Sequence, residues 1–300
     1  MTLSTEPCEK VSGKATKCER YEVTCDGLDP AMVDLAFFEP AGGATQGQIL
    51  FGSGSAGTGF YNFTRTAELV QAGFSVVERR WPAGWFTGAT QGPQQAACRL
   101  ATVLAHLRST LPGSLPLCAT GNSGGSAELG FALTWQGAGA SLAYAMPTSG
   151  PFHRLDLACQ GESDASWPAE CAALKASRCP DCASQACQLG AGPSRLIDTS
   201  FGGVTRCTQP AAGDLAVLKQ HSPIFGPSVG ELGDLPILFL VGKDDPGAYQ
   251  PLATALSDSL AAAGANVELQ FVAGAPHEMD GTTQGSAAIE GALLSRCKPR

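Results

Sequence analysis

Three side chains, far apart in the chain, have the types and settings for nucleophilic catalysis: Ser123, Asp245 and His277. A serine hydroxyl is a poor nucleophile at neutral pH. It needs a base of pKa near 7 within hydrogen-bond reach, and that base needs a partner that fixes its tautomer. Ser123 lies in Gly121-Asn122-Ser123-Gly124-Gly125. An apolar run, Leu117 to Thr120, precedes it, and Ala127, Leu129, Phe131, Ala132 and Leu133 follow with the makings of a helix face. Strand, Gly-x-Ser-x-Gly, helix is the pattern of a nucleophile elbow. The turn is tight enough to strain the serine backbone, so the flanking positions need glycine. The hydroxyl then stands at a helix N-terminus, where free N–H groups favour developing negative charge. Gly226-Pro227-Ser228-Val229-Gly230 matches the same five-residue pattern. It lacks the strand before and the helix after, so Ser228 reads as a loop serine.

His277 follows the last expected strand in the turn Gly274-Ala275-Pro276-His277, and it is the expected base. His153, after another strand end, is its rival; His106 reads as mid-helix, and His221 lies near the exit of a cysteine-rich stretch. Asp245, in Gly242-Lys243-Asp244-Asp245-Pro246, is the expected acid, with Asp244 the alternative. Attack on a carbonyl also needs preorganised donors for the oxyanion. The Gly124 N–H is one candidate. The second is expected from the Gly-rich loop 52–59, at Ser53 or else Gly54. That loop has neither a P-loop nor a dinucleotide-binding spacing. Trp81, Trp85 and Phe86 crowd the next loop and suit the apolar wall of a substrate cleft.

These groups need a scaffold that brings them to one edge. Strands are expected at 20–24, 32–39, 48–51, 74–78, 117–120, 142–145, 235–241 and 267–272. Helices are expected at 64–72, 95–111, 251–263 and 283–296. Such alternation argues for an α/β fold with a mostly parallel central sheet and helices on both faces. Functional groups in such sheets gather at the carboxyl ends of the strands, where all the candidates fall. Residues 1–30 suggest a stapled extension leading into the first strand. Residues 152–230 change character, with half the cysteines and poor periodicity. They read as a disulfide-rich cap inserted between two strands of a single domain spanning 1–300.

Composition narrows the function. The 300 residues are 44% hydrophobic and 15% charged, with a formal net charge of −8. This is globular rather than disordered, and without a basic run it argues against a nucleic-acid partner. No apolar stretch reaches membrane-spanning length. Twelve cysteines point to disulfides and an oxidising compartment. The opening residues MTLSTEPCEK carry no signal-peptide core. A secreted or periplasmic protein whose export signal has been removed reconciles the two. Cys179, Cys182 and Cys187 would otherwise suggest zinc, but no second close pair completes a tetrahedral set, so no metal is expected.

The chain order Ser123, Asp245, His277, with the turns GNSGG, GKDDP and GAPH, resembles the α/β-hydrolase superfamily over residues 32–151 and 235–297. A departure is Phe51-Gly52 where the family has His-Gly ahead of its oxyanion loop. The resemblance implies a serine esterase acting through an acyl-enzyme, without cofactor, on lipid, aryl or polyester substrates. A peptidase or amidase on the same fold is the first alternative. A non-catalytic, disulfide-stapled binding module is the second.

Overall fold

The computed structural model describes residues 1–8, 15–43, 45–150, 152–159, 166–184 and 186–299. Parts of the expected extension (9–14) and cap (160–165 and 185), with Pro151, lie outside the described residues. The strands are β1 (Thr2–Leu3), β2 (Lys17–Cys25), β3 (Leu28–Phe38), β4 (Gly47–Gly52), β5 (Phe74–Arg80), β6 (Leu117–Asn122), β7 (Tyr144–Thr148), β8 (Ile237–Gly242) and β9 (Val267–Val272). They form one sheet in the order β1-β2-β3-β5-β4-β6-β7-β8-β9. The first four pair antiparallel in that order. From β5 to β9 every pairing is parallel. β4, β6, β7 and β8 are buried along their whole length, which is why their sequences do not show the alternation of a one-faced strand.

The helices of the body are α1 (Thr66–Gln71), α2 (Pro93–Ala96), α3 (Cys98–Thr110), α4 (Gly124–Trp135), α9 (Tyr249–Ala262) and α10 (Thr283–Arg296). Strand residues alternate between two cores. Leu50, Ala119, Ile237 and Phe239 face α3, α4 and α9, which offer Leu100, Leu104, Leu129, Leu252 and Leu256. Ile49, Cys118, Leu238 and Leu240 face the other way, towards Leu69 of α1 and Ile289 and Leu293 of α10. Cys118 bonds Cys297, so a disulfide pins the end of α10 to the sheet. The single helix expected at 95–111 is divided at Ala97 into α2 and α3. The expected strand at 142–145 begins two residues later and runs through Pro147, so its polar end lies beside the elbow.

Between β7 and β8 lie α5 (Leu155–Cys159), α6 (Trp167–Arg178), α7 (Ala191–Ser200) and α8 (Asp214–Gln220). The weak periodicity of this stretch therefore concealed four short helices. Three disulfides cross it: Cys159–Cys207, Cys171–Cys187 and Cys179–Cys182. Of the thiols considered as zinc ligands, Cys179 and Cys182 bond each other and Cys187 bonds Cys171. Cys8–Cys18 and Cys25–Cys98 staple the antiparallel edge. No described helix is long and apolar enough to cross a membrane.

Candidate active site

The turn from β6 into α4 places Ser123 at φ 54° and ψ −114°. A side chain held at positive φ costs about 1–3 kcal/mol and persists only where its surroundings enforce it. The neighbours do so by contact. A Cβ on Gly125 would stand 2.3 Å from the Gly52 carbonyl oxygen, and one on Gly124 would stand 1.9 Å from that of Ser55. The Ser123 amide donates to the Thr148 carbonyl at 3.0 Å.

Ser123 Oγ lies 2.8 Å from His277 Nε2. His277 Nδ1 lies 2.8 Å from Asp245 Oδ2. Asp245 is buried, and its Oδ1 accepts the Gly247 N–H at 2.8 Å. An ionised carboxylate only accepts, so Nδ1 carries the proton and Nε2 is left to accept from the serine hydroxyl. Asp244 is exposed to solvent. The other histidines are elsewhere. His153 bonds Ser259 Oγ through Nε2 at 3.0 Å, His221 meets the Gln91 carbonyl, and His106 packs on Tyr21. Ser228 is buried in a short 3₁₀ turn, where its N–H donates to the Thr134 carbonyl.

Two cavities meet at Ser123. One, of about 340 Å³, is mostly apolar and includes Trp85, Phe86, Phe131, Leu196 and Ile197. The other, of about 740 Å³, is more polar and includes Ser53, Gly54, Asn122, Asp245 and His277. Ser53 and Gly54 therefore face the serine. A Cβ on Gly54 would come within 3.3 Å of that of Ser123, and the Ser55 amide nitrogen lies 2.8 Å from where a Gly124 Cβ would be.

Trp81 does not line either cavity, contrary to the expectation that grouped it with Trp85 and Phe86. It is fully buried, and its Nε1 donates to Glu128 Oε1 at 2.8 Å. Glu128 also pairs with buried Arg79. Two buried charges need each other and further donors, and the indole supplies one. Burial pushes Glu128 up to about 6 against the opposing pull of Arg79.

The residue sequence reasoning missed is Tyr249, which opens α9. Its ring centroid lies 4.3 Å from that of His277, and it borders both cavities that meet at Ser123. Burial, followed by the nearby Asp245 charge, pushes its phenol up to about 12. The only sequence signal was an aromatic residue four places after the acid, too weak to single out.

The chain has the α/β-hydrolase fold, with a mostly parallel sheet and a tight strand-to-helix turn at Ser123. It is similar to an acylaminoacyl peptidase of Pyrococcus horikoshii, at 11% identity and a TM-score of 0.61, over 96% of this chain and 42% of that one. The chain thus spans less than half of the peptidase's length. It is similar to a lipase in its open form, at 16% identity and a TM-score of 0.57, over 94% of this chain and 98% of the lipase. A thermostable carboxyl esterase from Bacillus coagulans gives 16% identity and a TM-score of 0.59, over 93% and 97% of the two chains. The sequence matches no family model, and no curated protein is similar to it in sequence.

Proposed function

We propose that the protein is a serine hydrolase of carboxylic esters. The observation that carries this reading is the unbroken hydrogen-bonded line from Ser123 through His277 to Asp245, with both spacings at 2.8 Å. Ser123 Oγ attacks the acyl carbonyl. His277 takes the hydroxyl proton at Nε2 and passes it to the leaving alcohol, while Asp245 holds the imidazole and balances its charge. Water then attacks the acyl-enzyme by the same route in reverse order. The Gly124 N–H is one oxyanion donor. The second belongs to the loop 53–55, with Ser53 the residue the sequence favours. Trp85 and Phe86 form part of the substrate wall, which suits aryl or polyester acyl groups.

The fold likeness to a lipase and a carboxyl esterase agrees with ester hydrolysis. The likeness to a peptidase keeps amide hydrolysis as the second reading. A fluorophosphonate probe tests the chemistry. It should label Ser123, and turnover of p-nitrophenyl esters should exceed that of matched anilides. A protein that neither labels nor turns over either substrate is a binding module.

The same reading makes 1–300 one domain, with 152–230 as its cap, and the six disulfides fit a secreted or periplasmic protein. Mild reduction followed by hydrogen exchange should loosen 152–230 before the sheet. Loss of both together would make the segment part of the main body.

A further inference from the structure

We propose that Glu78 is a positioning residue for the reaction: its buried carboxylate pins the loop that brings Ser53 and Tyr61 to the polar cavity at Ser123. The proposal rests on the Ser123–His277–Asp245 reading and on the loop 53–55 as the source of an oxyanion donor.

Glu78 lies near the carboxyl end of β5 and is only 1% exposed. A carboxylate so placed needs donors. Two backbone amides of the loop between β4 and α1 supply them. The Asn62 N–H donates to Oε2 at 2.8 Å, and the Phe63 N–H donates to Oε1 at 3.1 Å. Asn62 stands at φ 56°, a left-handed conformation that asparagine adopts more readily than most residues. Successive amides turned towards one point make an anion site. A charged acceptor makes each of these bonds stronger than a neutral one would.

The pinned loop reaches the chemistry through packing and one further hydrogen bond. Phe51 neighbours Glu78 across the sheet. Its ring stacks on Phe63 at 4.9 Å and tilts against Tyr61 at 5.3 Å. Tyr61 in turn borders the polar cavity at Ser123. Ser53 Oγ donates to the Gly59 carbonyl, which ties the oxyanion loop to the segment that Glu78 holds. Thr64 borders the polar cavity and also a separate cavity of about 640 Å³, which Glu78, Asn62 and Phe63 line as well. The carboxylate therefore stands behind the wall of the catalytic cavity.

The apolar cavity has other supports. The Trp81 N–H donates to the Gly57 carbonyl at 2.8 Å and the Trp85 N–H to that of Ala56 at 3.0 Å. Loss of Glu78 should thus disturb the oxyanion donor more than the binding of the acyl group. An interaction that matters mainly in the transition state shows in kcat rather than KM.

Glu78→Ala removes the carboxylate and leaves a gap that formate can reach through the separate cavity. With p-nitrophenyl butyrate, kcat should fall roughly 30-fold, the scale of a displaced oxyanion donor, while KM stays within about twofold. Sodium formate should restore part of that kcat in a saturating manner, and equal sodium chloride should not. The wild-type protein should respond to neither salt. Glu78→Gln keeps the shape but offers one acceptor to two amides, so its kcat should fall roughly tenfold with KM again unchanged. A loss that formate does not restore, or a matching rise in KM, would reduce Glu78 to a packing residue. Unchanged kcat in Glu78→Gln would end the proposal, and that variant carries the test alone if Glu78→Ala does not fold. Wild-type protein that takes no fluorophosphonate label would instead undo the serine-hydrolase reading beneath it.

Discussion

The sheet and the segment at 152–230 are held together by different means. β4, β6 and β8 are buried at every residue, and the helices on them bring leucines at i, i+3 and i+4. In the inserted segment α5 is buried throughout, but α6 buries only Trp167 and Cys171, and α8 only Asp214 and Leu218. Three disulfides join its turns instead, one closing a span of 16 residues and another a span of 48. Helices that bury as little apolar area as α6 and α8 draw stability from cross-links that restrict the unfolded state. It is nevertheless fastened to the chemistry. Ser184 Oγ donates to the Gly247 carbonyl at 2.6 Å, and the Ala183 N–H to that of Lys243. The insertion thus braces the turn that carries Asp245, while the sheet sets the position of all three reacting groups.

If the sheet carries the chemistry, the largest effect falls on its elbow. Ser123→Ala should lower ester turnover by roughly 10⁴-fold or more, as loss of a nucleophile does in serine hydrolases. Its urea midpoint should stay at the wild-type value. Turnover surviving in the variant would move the reaction to another site.

The next contrast sets one ion pair against another. Arg79 and Glu128 are both fully buried beneath the elbow. Arg178 and Asp258 join α6 to α9 with half-exposed side chains. Glu128→Ala strands a buried guanidinium and should cost about 3–5 kcal/mol in urea unfolding. Asp258→Ala should cost less than about 1 kcal/mol, because water screens that pair. Equal losses would mean that the inserted segment is as tightly integrated as the core.

The seam between the two regions should respond to acid. His153 sits at the start of the insertion, bonded to Ser259 of α9, and burial, with Arg154 opposing and Asp156 favouring protonation, lowers its pKa from 6.5 to about 4. Between those values the unfolded chain binds a proton that the folded chain refuses. The stability from this site is full above pH 6.5 and lost as pH falls through that window, to about 3 kcal/mol at pH 4. Denaturant melts from pH 7 to 4 should show the decline, and His153→Gln should flatten it. An equally steep decline in the variant would assign the acid response to other groups.

Much of the body was legible because each part carries a local pattern. The elbow is marked by its glycines, β8 by its apolar run, and the Asp245 and His277 turns by their position after the last two expected strands. Trp81 was misread because an aromatic residue in a loop looks the same whether it lines a cleft or answers a buried carboxylate. Glu128 gave no sign, since the Arg79 that makes its burial tolerable is 49 residues away. The insertion hid its helices because, with disulfides holding it, their faces need not be strongly apolar. Tyr249 lay hidden for a related reason: its place beside Ser123 comes from the packing of α9 against the sheet.

The smallest expected effect tests what the insertion adds to the reaction. Leu196 and Ile197 on α7 face Phe131 of α4 across the apolar cavity, so one wall belongs to each region. The Gly92 N–H donates to the Ser200 carbonyl at 2.9 Å and the Gly202 N–H to that of Ala89 at 3.0 Å, which ties this wall to the loop bearing Trp85 and Phe86. Ile197→Ala removes three carbon atoms from this wall, and the part of that surface a long chain touches is worth about 1–2 kcal/mol to it. The kcat/KM for p-nitrophenyl octanoate should fall roughly tenfold, while that for the acetate, too short to reach the wall, stays unchanged. A uniform fall across chain lengths would mean that α7 supports the catalytic turn rather than the substrate, and the division of labour between the two regions would shift accordingly.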